Sequence, residues 1–193
     1  MKHFRLIADG IDVAPLLAQI DAQPELWDQH QFRTGVKSPH AGTSDIWVRY
    51  NVIERLGPRF HDEHVPVWYP AWKKLPALRP IIFDLMARVQ GEMLCGVLIT
   101  KVPPGERVAP HIDLGWHVNY TEKLYICLRG APGARFHCQE DISPTHVRLE
   151  HIEPKPGECH LFDNRKRHWV TNDSEEDRIT LIVCVRTDLF GRY

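Results

Sequence analysis

The spacing of hydrophobic residues changes near residue 92. Before it, apolar positions recur at helical spacing or sit in proline-rich stretches. Residues 12–21 place Leu16, Leu17 and Ile20 on one side of a helix. The stretch 64–76 sets Pro66, Pro70 and Pro76 among Trp68, Tyr69 and Trp72, the pattern of a packed irregular segment. Residues 79–90 predict a firm helix. Pro80 suits its first turn, Ile82, Leu85, Met86 and Val89 make one apolar face, and Gly91 ends it. Within this half only 45–50, Asp-Ile-Trp-Val-Arg-Tyr, alternates as a strand does.

From residue 93 the period is two. MLCGVLITKV is a strand closed by the Pro103-Pro104-Gly105 turn, and further strands are expected at 106–112, 122–129, 134–139, 146–152, 158–163, 167–171 and 178–186. Short strands separated by Pro/Gly turns predict a jelly roll, the double-stranded β-helix of cupins, with an open sandwich as the alternative. The fold expected is therefore mainly β with N-terminal helices. One domain over 1–193 is expected, with 1–92 as a helical and loop support and 93–187 as the β-helix core.

Composition narrows the classes. Hydrophobic residues make up 43% and charged residues 25%, which is the balance of a globular chain. Lys and Arg number 24 against 25 Asp and Glu, so no basic excess supports nonspecific nucleic-acid binding. The opening MKHFRLIADG carries Lys2, Arg5 and Asp9 and has no apolar stretch of signal-peptide type, and no apolar run reaches bilayer length. The five cysteines are odd in number and form no CxxC pair, which predicts free thiols in a reducing, cytoplasmic setting. Oligomeric state leaves no mark on the sequence. Twelve histidines prompt a search for a metal site.

The segment Pro110-His111-Ile112-Asp113 has the spacing of a metal site. On a strand, residues i and i+2 share a face, so His111 and Asp113 would offer an imidazole and a carboxylate to one point. His168, 57 residues downstream in Arg167-His168-Trp169-Val170, is the best third ligand. Two histidines and one carboxylate bind iron(II) and leave positions open for a cosubstrate and O2. His-x-Asp alone is a weak signal. Arg178 sharpens it, because it lies ten residues after His168 at the head of an apolar strand. A charge there is costly unless it meets an anion, and a guanidinium grips a carboxylate in a bidentate way. 2-Oxoglutarate has a carboxylate at the end away from its metal-chelating keto acid. The plain alternative is a surface ion pair of Arg178 with Glu175, Glu176 or Asp177.

The blocks Gly157-Glu158-Cys159-His160-Leu161-Phe162-Asp163-Asn164 and His168-Trp169-Val170-Thr171-Asn172, followed by Arg178, resemble the C-terminal core of the aspartyl/asparaginyl β-hydroxylase family, part of the 2-oxoglutarate oxygenases. The resemblance spans roughly 93–187 and is weaker around 43–50. It implies that His111 and His168 hold iron(II) and that Arg178 binds the cosubstrate carboxylate. It also implies oxidative decarboxylation of 2-oxoglutarate to succinate and CO2, coupled to hydroxylation of a substrate C–H bond. Two departures stand out. Some members lack the carboxylate ligand, whereas this chain has Asp113. Where the animal enzymes have a second histidine touching 2-oxoglutarate, this chain has Cys127. Lys123, Tyr125 and Cys127 share a strand face by period two, and Tyr125 is the best candidate to reach the cosubstrate.

Other residues are weighed against plainer roles. His117 is a fourth ligand, a support behind the ligands, a substrate contact or a plain loop histidine, and Trp116, a substrate-side candidate, and Tyr120 cover the iron or merely pack. Arg49, sharing a face with Trp47, is a substrate-side candidate or a solvated arginine. Arg135 and His137 could line the barrel mouth. His61 and His64 read as surface polar residues. The expected activity is hydroxylation of an amino-acid residue, free or within a peptide or protein. The alternatives are oxidation of another small molecule or nucleobase, and a cupin-like metal- or sugar-binding protein with no oxygenase activity.

Overall fold

The strands expected from the alternating half form, and three more join them from the first half. In the computed structural model, residues 3–143 and 145–187 are described. The ends of the expected 1–193 domain, with Lys2, lie outside them. In chain order the elements are β1 (Phe4–Ala8), α1 (Ala14–Asp21), β2 (Ser44–Asn51), β3 (Pro66–Trp68), α2 (Ala71–Lys74), α3 (Leu78–Arg88), β4 (Gly91–Val102), β5 (Arg107–His111), α4 (Trp116–Tyr120), β6 (Glu122–Arg129), β7 (Ala134–Ser143), β8 (His146–Ile152), β9 (Cys159–Phe162), β10 (Arg167–Asn172) and β11 (Arg178–Thr187). A seven-stranded sheet has the order β1-β9-β6-β11-β4-β2-β3 and a four-stranded sheet the order β5-β10-β7-β8. The two make the double-stranded β-helix.

Alternation decides which side chains reach its interior. On β11, Ile179, Leu181, Val183 and Val185 join the main core, while Arg178, Thr180, Ile182 and Cys184 turn to the other face and line a cavity. On β6 the division is Leu124, Ile126 and Leu128 against Lys123 and Tyr125. On β4 it is Val97 and Ile99 against Leu98, Thr100 and Val102. Leu16 and Ile20 of α1 and Leu78, Ile82 and Leu85 of α3 cover the first face, each at most 1% exposed. Burial of that kind contributes about 1.5–3 kcal/mol per large side chain. Phe4, Phe136, Phe162 and Val170 close the space between the sheets on the cavity side.

Several expectations need correction. The first ninety residues hold more than helices, loops and the one strand expected at 45–50, since β1 and β3 join β2 in the large sheet. β1 carries no clear strand signal, because its five residues alternate poorly, with Arg5 and Leu6 both exposed. The stretch 64–76 is not wholly irregular but holds edge strand β3 and the single turn α2. α3 is ended by Gln90, which takes a left-handed φ of 55°, not by Gly91. Gly91 instead begins β4, where a Cβ would lie 2.6 Å from Val185 Cγ1.

Candidate active site

Strand register brings the two histidines together. His168 on β10 sits directly opposite His111 on β5, and their rings are 4.3 Å apart. β5 ends at His111, so Asp113 does not share a strand face with it as expected. The chain turns after His111, and the Asp113 backbone N–H donates to the Asn164 carbonyl at 3.2 Å. That turn still delivers the carboxylate, with Asp113 Oδ1 3.2 Å from His111 Nε2. One ligand atom from each of His111, Asp113 and His168 lies within 4.8 Å of the others.

Each imidazole is oriented from behind. His111 Nδ1 is 2.8 Å from the Ala109 carbonyl, and His168 Nδ1 is 2.8 Å from the Lys166 carbonyl. A carbonyl can only accept, so each Nδ1 carries the proton and each Nε2 presents its lone pair to the cluster. Burial pushes His168 down to about 4, which keeps it neutral and able to ligate. Burial acts to raise Asp113, but the Lys123 ammonium, with the Asn164 amide, outweighs it and holds the carboxyl well below the usual range. Two imidazoles whose Nε2 atoms face the cluster, with one ionised carboxylate, are the donor set that suits iron(II).

Beside this cluster lies a cavity of about 310 Å³. Arg178 lines it and is 4% exposed. Its guanidinium has no carboxylate partner among the described residues, so the ion pairs with Glu175, Glu176 or Asp177 do not form. Two hydroxyls stand near it in the lining. Thr180 Oγ1 is buried without a hydrogen-bond partner, and burial holds the Tyr125 phenol well above its usual pKa, as a neutral donor. A lone buried cation flanked by donors suits a carboxylate.

The opposite wall comes from the segment before β2, where the sequence alone assigns Arg33 and His40 no role. Arg33 reaches Asp45 at 2.5 Å and the His40 ring at 3.2 Å. Asp45 is buried and accepts from Thr100 Oγ1 at 2.8 Å. His40 lies 5.1 Å from the His111 ring. No spacing rule marks Arg33 or His40, because a turn-rich stretch carries them. The loop after Asp113 is clipped to residue 61, with the Trp116 N–H donating to the His61 carbonyl at 2.9 Å. Gly115 allows this contact. Its φ is +103°, and a Cβ there would lie 3.0 Å from His61 Cα.

The structure brings His111, Asp113, His168, Arg178, Tyr125 and His117 to one cavity. His117 stacks on His64 at 4.9 Å, and burial pushes it down to about 2. His64 is buried rather than a surface residue. The other candidates stay outside the cavity. Cys127 is 2% exposed and does not line it, and burial pushes its thiol up to about 11 despite nearby Arg178. Arg49 follows a bulge in β2 between Trp47 and Arg49 that breaks the alternation. Its Nε donates to the Leu94 carbonyl at 3.0 Å and its guanidinium covers Trp68, while Tyr50 takes the cavity position. Trp116 stacks on Tyr120 at 4.3 Å and neither lines the cavity. Arg135 and His137 are on the outer face of the small sheet, where Arg135 pairs with Glu153 and His137 stacks on Trp169.

Comparison with known proteins agrees with this geometry. A scan against protein families matches the aspartyl/asparaginyl β-hydroxylase family over residues 60–187. No curated protein matches the chain. Among solved structures, similarity extends to a prolyl hydroxylase from Trichoplax adhaerens in complex with a hypoxia inducible factor oxygen degradation domain peptide fragment. That pair shares a TM-score of 0.63 at 14% identity, covering 96% of this chain and 84% of that one. A 2OG-Fe(II) oxygenase family oxidoreductase from Burkholderia pseudomallei gives 0.57 at 16%, covering 92% and 81%. The alpha-ketoglutarate-dependent epimerase SnoN from nogalamycin biosynthesis gives 0.64 at 11%, covering 96% and 78%. At such identities these likenesses show a shared fold. The family match covers more than half of the chain, and on that ground the chain belongs to the aspartyl/asparaginyl β-hydroxylase family of 2-oxoglutarate- and iron(II)-dependent oxygenases.

Proposed function

We propose that the chain hydroxylates an amino-acid residue, free or within a peptide or protein, using iron(II), 2-oxoglutarate and O2 and releasing succinate and CO2. The observation that carries this reading is Arg178, buried without a carboxylate partner in the cavity that also holds the His111, Asp113 and His168 cluster. A metal-binding protein without a cosubstrate has no need of that cation. Membership of the hydroxylase family supports the amino-acid substrate, and the peptide-bound prolyl hydroxylase of the same fold supports a peptide form of it.

In this reading His111 Nε2, Asp113 Oδ1 and His168 Nε2 hold the iron. Arg178, with Thr180 and Tyr125 donating, binds the far carboxylate of 2-oxoglutarate. When bound, iron and 2-oxoglutarate together activate O2 for insertion into a C–H bond. The chain's share is orientation and exclusion of water. The Ala109 and Lys166 carbonyls fix the ring tautomers. Phe136, Val108, Val170 and Leu98 dry the wall around the site. His117 and Arg33 face the remaining space, where the substrate would lie. We read the chain as one domain, with 93–187 as the catalytic core. Its five free cysteines support a reducing, cytoplasmic setting, and no helix among the described residues is long and apolar enough to cross a membrane.

The test supplies the protein with iron(II), 2-oxoglutarate, ascorbate and isotopically labelled dioxygen, together with a peptide library and the free amino acids. The expected product is an amino-acid residue carrying one labelled oxygen, formed with stoichiometric succinate. Succinate formed in step with oxidation of a non-amino-acid substrate alone would contradict the reading.

A further inference from the structure

The one carboxylate of the metal cluster is already neutralised. Asp113 Oδ2 accepts from Lys123 Nζ at 2.5 Å and from Asn164 Nδ2 at 2.8 Å. The Lys123 side chain is only 11% exposed and that of Asp113 17%, so little water screens the pair. Oδ1 remains turned toward His111. Period two on β6 puts Lys123 here, two residues before Tyr125 on the cavity face.

The charges around the cavity can be counted. Arg33 is matched by Asp45 and Lys123 by Asp113. His40, His64 and His117 are held neutral by burial. Arg178 is left over, so the lining carries a net positive charge before any metal arrives. A divalent cation entering the cluster meets a carboxylate whose charge is cancelled by an adjacent ammonium. In a poorly solvated site that repulsion is strong. A dianion that chelates the metal at one end and pairs with Arg178 at the other reverses the balance.

Resting on the proposed function, we propose that Lys123 is a positioning residue that couples metal binding to cosubstrate binding: it weakens the hold on the metal alone and leaves the ternary assembly with the dianion favoured. Lys123 and Asn164 also divide the work on Asp113. Both fix Oδ2 so that Oδ1 is the ligand oxygen, but Lys123 alone carries charge.

Calorimetric titration of the full chain with manganese(II), with and without saturating 2-oxoglutarate, reads the coupling directly. The variants are Lys123→Met, Lys123→Gln, Lys123→Arg and Asn164→Ala. Either neutral variant that keeps the native melting profile serves, since Gln retains a donor to Oδ2 and Met does not. The neutral variants are expected to bind manganese(II) alone on the order of tenfold more tightly, with affinity in the presence of 2-oxoglutarate little changed. The coupling factor then shrinks by the same ratio. Lys123→Arg keeps the charge and the wild-type coupling. Asn164→Ala weakens binding equally in both conditions and keeps the coupling. Metal-alone affinity that falls or stays constant in both neutral variants, with coupling intact, would overturn the proposal. Wild-type protein that binds manganese(II) but shows no tightening by 2-oxoglutarate would instead overturn the function on which it rests.

Discussion

Replacing Arg178 by methionine separates what the guanidinium does for the fold from what it does for a ligand. The side chain is 4% exposed and has no carboxylate partner among the described residues. Methionine fills similar volume without a charge, so the ligand-free protein loses no ion pair and is relieved of a desolvated cation. Its melting temperature should hold or rise. Binding of 2-oxoglutarate should move the other way. Removing one member of a buried charged pair costs about 2–5 kcal/mol. At about 1.4 kcal/mol per decade this is roughly a 30-fold to several-thousand-fold loss of affinity. The assay pairs a thermal melt of ligand-free protein with calorimetric titration of 2-oxoglutarate into manganese-loaded protein. A melt lowered by several degrees with affinity within threefold of wild type, on the order of 0.6 kcal/mol, would make Arg178 a structural residue and not a ligand contact.

Further outcomes follow from the same geometry. Burial holds His117 near 2, so it is neutral in the fold while the unfolded chain takes up its proton below its ordinary value of 6.5. Its stabilising effect is full above that value and is lost as pH falls toward 2, by at most about 1.4 kcal/mol per pH unit. His117→Phe, which keeps the stack on His64, should therefore flatten the acid limb of urea midpoints measured between neutrality and mild acid, and an unchanged limb would contradict this. Gly115→Ala forces a Cβ at φ +103° against His61 Cα and should destabilise by about 1–3 kcal/mol in urea unfolding. Asn172 is fully buried, donates to the Val102 and Glu176 carbonyls and accepts from Ser174 Oγ. Asn172→Ala should cost about 3 kcal/mol of stability with 2-oxoglutarate affinity retained, which calorimetry on the folded variant checks.

The legible part of the sequence was the part governed by simple periods. Alternation on β11 sends Arg178, Thr180 and Ile182 to one face and Ile179, Leu181 and Val183 to the other, and the pattern can be read without coordinates. His168 opposite His111 could be guessed from ligand chemistry, but the register that pairs them depends on both sheets closing. Asp113 was found for an incomplete reason, because a turn rather than a strand face delivers it. Arg49 was misplaced because a one-residue bulge reverses the parity of every side chain beyond it. Arg33 and His40 were illegible because turns at 30–43 position them, and turns carry no period. Lys123 was visible as a cavity-face residue, yet its pairing with Asp113 is a tertiary contact that no local pattern announces.

In the proposed function His111, Asp113 and His168 hold iron(II) beside a 2-oxoglutarate site ending at Arg178. Anaerobic reconstitution with iron(II) and 2-oxoglutarate tests it most directly, through the weak visible metal-to-ligand charge-transfer band of chelated 2-oxoglutarate. The account predicts the band in the wild-type protein and its loss in His111→Ala and in His168→Ala, each with a native melting profile. Iron binding without the band in the wild-type protein, or a band that survives both substitutions, would contradict it.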